Sequence, residues 1–189
     1  MKTSAAQKKI RALETALVRQ HQQLATLKRR RPPEPVANYA LATPAGPVSL
    51  AALFGGKRDL IVVHNMGTSC RYCTLWGDGF NGLYPHLADR AAFVVVSPDA
   101  PAVQKKFAAS RGWRFPMASG QGSTFIHDMG FLPAPDDPRP GVSTFRRVRG
   151  KIFRVASAPF GAFDPFCNAW HFFALLAGGV DGWQPQYRY

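Results

Sequence analysis

Two apolar periodicities alternate along this chain. Near its start, Ile10, Leu17 and Leu24 stand seven apart, and Ala6, Leu13 and Leu27 fill the alternate seam, broken by Gln20. That heptad stripe, about three repeats long, predicts one helix over residues 3–30. So short a stripe leaves two uses open, pairing with a second chain or docking on its own chain's body. Arg31-Pro32-Pro33-Glu34-Pro35 ends the helix, because proline lacks the N–H and clashes with the preceding turn. Residues 36–57 read as a lead-in of short extended pieces. The continuous apolar run Asp59–His64 then suits a strand buried on both faces.

After a short loop over 66–69, Trp76, Phe80, Leu83 and Leu87 recur at intervals of four, three and four. They predict a helix following Cys70 and Cys73, irregular at first because Gly77, Gly79 and Gly82 each weaken it by about 1 kcal/mol relative to alanine. Ala92–Val96 is the clearest strand. Ser97–Gly112 reads as a loop and a helix, with Asp99 as cap, Pro101 in the first turn and Gly112 as terminator. A short strand is expected at 115–117 and a long Gly/Pro/Asp-rich loop at 118–141. Val142–Val148 and Lys151–Ala156 flank Arg149-Gly150 as a hairpin. A last helix is expected from Pro165, capped by Asp164, to Ala177, with Phe166, Trp170, Phe173 and Ala177 on its buried face. Strands alternating with helices imply an α/β fold. Its sheet should be mostly parallel, made mixed by the closing hairpin and covered by helices.

Composition changes this picture little. Apolar residues make up 46% of 189 positions, enough for a packed core. Charge changes it more. Of the net +13, residues 1–31 carry nine Lys and Arg against Glu14 alone, so the basic character belongs mainly to the first helix. Such a segment can touch nucleic acid or an anionic surface, although a solvated helix ending in a basic run is the plainer reading. No stretch approaches the ~20 apolar residues of a membrane span. The first residues lack the apolar core of a secretory signal, so a cytoplasmic location is expected.

The candidate chemistry lies in Cys70-Arg71-Tyr72-Cys73. Three cysteines are too few, and odd in number, for a secreted disulfide framework. Two cysteines separated by two residues at a strand-to-helix junction can close a disulfide. The helix N-terminus there favours thiolate over thiol. Cys70 is the expected nucleophile and Cys73 the resolving thiol one turn in. Arg71 adds positive charge, so the Cys70 pKa is expected below the free value of about 8.5, which makes the pair more oxidising. The competing reading is zinc. Cys167 and His171, four apart on one helix face, would complete a set with Cys70 and Cys73. No cofactor is called for on the redox reading.

The run Thr68-Ser69-Cys70-Arg71-Tyr72-Cys73-Thr74-Leu75-Trp76-Gly77-Asp78-Gly79-Phe80-Asn81-Gly82 resembles the signature of a family of uncharacterised bacterial proteins described as predicted dithiol–disulfide oxidoreductases. That signature is a Cys-Pro-x-Cys followed by Trp-x-Asp-x-Phe-x-Gly. Gly46–Leu50 with Leu53-Phe54, Phe93–Ser97, Gly112–Pro116 and Pro140–Ser143 with Phe145 resemble its other blocks. The resemblance covers most of residues 10–156. It implies a thioredoxin-like mixed sheet flanked by helices, and thiol–disulfide exchange with a protein or small-molecule disulfide or thiol. On that basis the chain divides into a basic helix and Pro-rich linker over 1–35 and a thioredoxin-like domain over 36–189. Arg71 replaces the family's usual proline, and Pro140 is the nearest proline to the return strand. A peroxiredoxin pattern fits less well, since Gly67 stands where those enzymes place threonine, three residues before the reactive cysteine.

Beside the pair, Trp76 is read as a wall of the site or as core, and Asp78 as a tuning or proton-relay group or as a cap. Tyr72 is a substrate contact or simply exposed. His64 is a strand-end residue or a base, and His127 and Asp128 can reach the site from the long loop. Cys167 is read as a buried packing cysteine. The rival to an oxidoreductase is a non-catalytic thioredoxin-like module, inert or zinc-bound, whose basic helix meets partners. That helix is also where a homodimer or nucleic-acid contact would form.

Overall fold

The computed structural model describes residues 4–189. Helix α1 spans Ala5–Arg30, and Ser4 Oγ caps it by accepting the Gln7 N–H at 3.2 Å. Thr3, where the heptad stripe begins the expected helix, lies outside the described residues. None of α1's residues is buried, and Ile10, Leu13, Leu17 and Leu27 all stand exposed.

The strands are β1 Glu34–Val36, β2 Ala40–Thr43, β3 Gly46–Ser49, β4 Asp59–His64, β5 Ala92–Ser97, β6 Met117–Ser119, β7 Gly141–Val148 and β8 Lys151–Pro159. They form one sheet in the order β1-β8-β7-β4-β5-β6-β2-β3. Only β4–β5 and β5–β6 pair parallel; the other pairings are antiparallel, against the expectation of a mostly parallel sheet. Parallel neighbours need long crossovers. Helices α3 (Arg71–Arg90) and α4 (Pro101–Arg111) supply those for β4–β5 and β5–β6. The lead-in pieces instead fold back on themselves as β2–β3, while Glu34–Val36 pairs with the outer edge of β8.

The strand alternation of Phe93/Val95 against Val94/Val96 splits the core into two layers. One lies against α3, α4 and the short α6 (Asn168–Phe173). The other lies against α2 (Leu50–Leu53), α5 (Phe125–Asp128) and the loop carrying Phe131. The turn Arg149-Gly150 takes positive φ at both residues (49° and 79°), as a two-residue hairpin of this twist requires.

Several local expectations change. Helix α3 is continuous through its glycines, and Leu83 faces solvent; the buried face is Cys73, Thr74, Trp76, Gly77 and Phe80. Gly77 is where the chains approach closely, since a Cβ there would lie 2.5 Å from Trp113 Cζ2. Gly112 ends α4 in the left-handed region (φ 65°), as read, but Asp99 does not cap it. Its carboxylate accepts from the Thr68 N–H (2.9 Å) and the Ser97 hydroxyl (3.0 Å). The last helix is shorter than 165–177. Asp164 takes the Gly161 and Phe166 N–H groups and folds that stretch into a turn, and Leu175 and Leu176 beyond α6 are exposed.

Candidate active site

Strand β4 ends at His64, and a tight loop carries the chain to Cys70. Gly67 in that loop adopts φ 111°, and a Cβ on it would press on the Asp99 carboxylate at 3.1 Å. Asp99, through Thr68, thus holds the loop from the end of the neighbouring strand.

Cys70 is the N-cap of α3. N-caps usually offer an oxygen to the backbone N–H two or three residues on. Here the Cys70 sulfur does so, accepting the Cys73 N–H at 3.0 Å. Cys70 is half-buried and Cys73 fully buried. The Cys70 pKa is lowered to about 7, first by the hydrogen bond from the Cys73 thiol, then by the Cys73 and Tyr72 N–H groups, against the opposing effect of burial. The Cys73 thiol is pushed the other way, first by its hydrogen bond to Cys70, then by burial and by the Cys70 charge. The Met66 N–H, 3.4 Å from Cys73 Sγ, works against that rise. The proton therefore stays on the buried sulfur and the charge on the accessible one.

Arg71 is not among the groups that lower the Cys70 pKa; its guanidinium donates to Gln184 Oε1 at 3.1 Å, in the C-terminal segment. Tyr72 stacks on Trp170, ring centroids 6.0 Å apart. Trp76 is core and also wall. It stacks on Phe160 and lines a recess of about 10 Å³ shared with Cys73, Asn65 and Pro140, while its indole N–H donates to Asp164 Oδ2 at 3.1 Å. Asp78 is not a cap. It sits two turns along α3 in an ion pair with Arg111 and accepts the Trp113 indole N–H at 2.8 Å, which ties α3 to α4.

His64 is buried on the opposite face of β4. It stacks on Phe131 with centroids 4.0 Å apart, Nε2 lying 3.0 Å from Ser143 Oγ and Nδ1 without a partner. Burial drives its pKa down to about 3. His127 and Asp128 bond each other (3.0 Å), with Tyr39 and Thr124 also donating to Asp128, on α5 under that same face. His127 is not brought to the cysteines, and His64 borders the recess beside Cys73 but aims its ring at Phe131 and Ser143.

The four-ligand zinc set is not assembled. Cys167 packs among Trp76, Phe160 and Trp170, and His171 Nε2 lies 3.1 Å from the Asp164 carbonyl. Among the described residues no three His, Cys, Asp or Glu side chains gather to hold a metal. Pro140 does stand immediately before β7 and beside Cys73, and no peptide among the described residues is cis.

Sequence reading took Asp99 and Asp164 for helix caps and passed over Tyr187. Burial first, then the Cys70 charge, pushes the Tyr187 phenol up, while its ring meets Phe107 edge-on and its carbonyl accepts from Arg111. No local motif marks Tyr187, and the donors that claim Asp99 and Asp164, the Thr68 N–H and the Trp76 indole, lie in distant stretches of chain.

The model of a family described as "Bacterial protein of unknown function (DUF899)" matches residues 2–187. No curated protein matches the chain. Solved structures with a similar fold include a cysteine-to-serine mutant of PrxQ from Xylella fastidiosa, at 14% identity and TM-score 0.57, covering 67% of this chain and 84% of that one. A peroxiredoxin-like protein from Aquifex aeolicus is similar at 17% identity and TM-score 0.54, over 67% and 74%. Peroxidoxin BcpB from Mycobacterium tuberculosis is similar at 21% identity and TM-score 0.52, over 67% and 84%. The fold is accordingly thioredoxin-like, with α1 as an added N-terminal helix. No helix among the described residues is long and apolar enough to cross a membrane.

Proposed function

We propose that this chain, which belongs to the DUF899 family of bacterial proteins, is a thiol–disulfide oxidoreductase working through Cys70 and Cys73. The observation that carries the reading is the half-buried Cys70 sulfur capping α3, with the Cys73 N–H 3.0 Å away and the Cys73 thiol buried behind it.

The chemistry follows from that asymmetry. The Cys70 thiolate attacks one sulfur of a substrate disulfide. The substrate S–S bond breaks, a Cys70–substrate bond forms, and the departing thiolate takes a proton from water. Once Cys70 is in a mixed disulfide it carries no charge. The two effects by which Cys70 raises the Cys73 pKa then vanish, leaving burial opposed by the Met66 N–H. Cys73 loses its proton to the second leaving sulfur and attacks Cys70 Sγ. The products are a Cys70–Cys73 disulfide and a substrate reduced by two electrons, and an external thiol restores the dithiol.

Reduction of insulin disulfides with dithiothreitol as electron source tests this. Cys70→Ser is expected to fall to the uncatalysed rate. Cys73→Ser is expected to stall after one turn as a mixed disulfide visible by mass. A Cys70→Ser variant as fast as the parent would remove the dithiol from the reaction, and a parent no faster than the uncatalysed rate would make the chain a binding module instead.

A further inference from the structure

Between α1 and α3 the sheet is left uncovered. Ile61, Val63, Val142 and Ala156 form the floor of a trough of about 740 Å³, with Leu24 and Ala25 of α1 as one wall and Phe80 and Leu87 of α3 as the other. Small-molecule sites typically enclose about 300–1,000 Å³ of mostly apolar surface with a few polar groups. The polar groups here have one dominant sign. Lys28, Arg29, Arg90 and Arg146 line the trough against a single carboxylate, Asp59, which already bonds both Arg90 (3.1 Å) and Arg146 (2.8 Å). Lys28 and Arg29 meet no carboxylate among the described residues.

We propose that this trough binds a long-chain fatty acid, its alkyl chain along the sheet floor and its carboxylate at Lys28 and Arg29. An apolar floor takes up methylenes, each worth about fourfold in affinity, and a cationic rim selects an anionic head. Charge disfavours a second copy of α1 in the same place. That helix carries Lys8, Lys9, Arg11 and Arg19 besides its basic end, against Glu14 alone. The proposal does not depend on the dithiol, since it involves no thiol step.

Isothermal titration of the whole, delipidated chain with palmitate, kept below its micelle concentration, tests it, with light scattering on the same samples. One site is expected. Decanoate and methyl palmitate should each bind at least tenfold more weakly. A Lys28→Glu/Arg29→Glu variant, altered only on the surface of α1, should lose at least tenfold while keeping its circular dichroism. Ala156→Trp, which fills the floor, should lose binding as well, and the surface variant keeps the test sound should Ala156→Trp fail to fold. Absence of binding overturns the proposal. So does palmitate binding that is insensitive to the ester or to the Lys28/Arg29 change, and so does a stable dimer that excludes palmitate.

Discussion

At the scale of single residues, the account turns on which sulfur holds the charge. The largest cause of the low Cys70 pKa is the Cys73 thiol, so the two cannot be altered independently. Iodoacetamide alkylation of Cys70 should rise with pH around a midpoint of about 7, and Cys73→Ala should move that midpoint upward. An unmoved midpoint would assign the shift to the helix alone. His64 bears on stability instead. Its folded pKa of about 3 lies below the ordinary 6.5, so below pH 6.5 the unfolded chain takes up a proton that the native chain refuses. Stability from this group is complete above pH 6.5 and falls as pH drops towards 3, by up to ~1.4 kcal/mol per unit. Urea unfolding across pH 4–7 should show that slope, and His64→Leu should flatten it whatever it does to absolute stability. That Cys70 stands more accessible than a buried Cys73 one turn in was legible from spacing. The apolar enclosure of His64 was not, because a strand-end histidine reads the same on either face of a sheet.

At the scale of elements, α3 was legible from its apolar spacing, yet its glycines misled. Propensity alone reads Gly77 and Gly79 alike, but Trp113 fills the space at Gly77 and nothing lies within 4 Å of a Cβ at Gly79. Gly79→Ala should therefore stabilise the chain by up to ~1 kcal/mol. Gly77→Ala should destabilise it by about 1–3 kcal/mol, since packing overrides propensity. Chemical denaturation of both variants measures the contrast, and equal effects would mean that Trp113 yields without cost. Asp99 and Asp164 were misread for a related reason. Each sits where a cap is usual, but a distant donor, the Thr68 N–H or the Trp76 indole, claims its carboxylate. Sequence order does not reveal such partners.

At the scale of the whole molecule, the strand–helix alternation made the layered α/β arrangement legible, and the family-like run pointed to the thioredoxin-like fold. The antiparallel majority was not legible, because β1, β2 and β3 are three or four residues each and carry little apolar alternation. Nor was the return of the C-terminal segment to α3 and α4, where Gln184 accepts from Arg71 and the Tyr187 carbonyl accepts from Arg111. The assembled frame leaves Cys70 accessible at the strand ends and Cys73 closed behind Trp76 and Pro140, an arrangement suited to a reversible two-electron couple. The most direct test is mass spectrometry of the chain equilibrated across a series of glutathione redox buffers. The dithiol reading predicts a single Cys70–Cys73 disulfide, two hydrogens lighter than the dithiol, forming as one two-electron transition. Cys70 accumulating only as a glutathione adduct, with Cys73 reduced throughout, would contradict it.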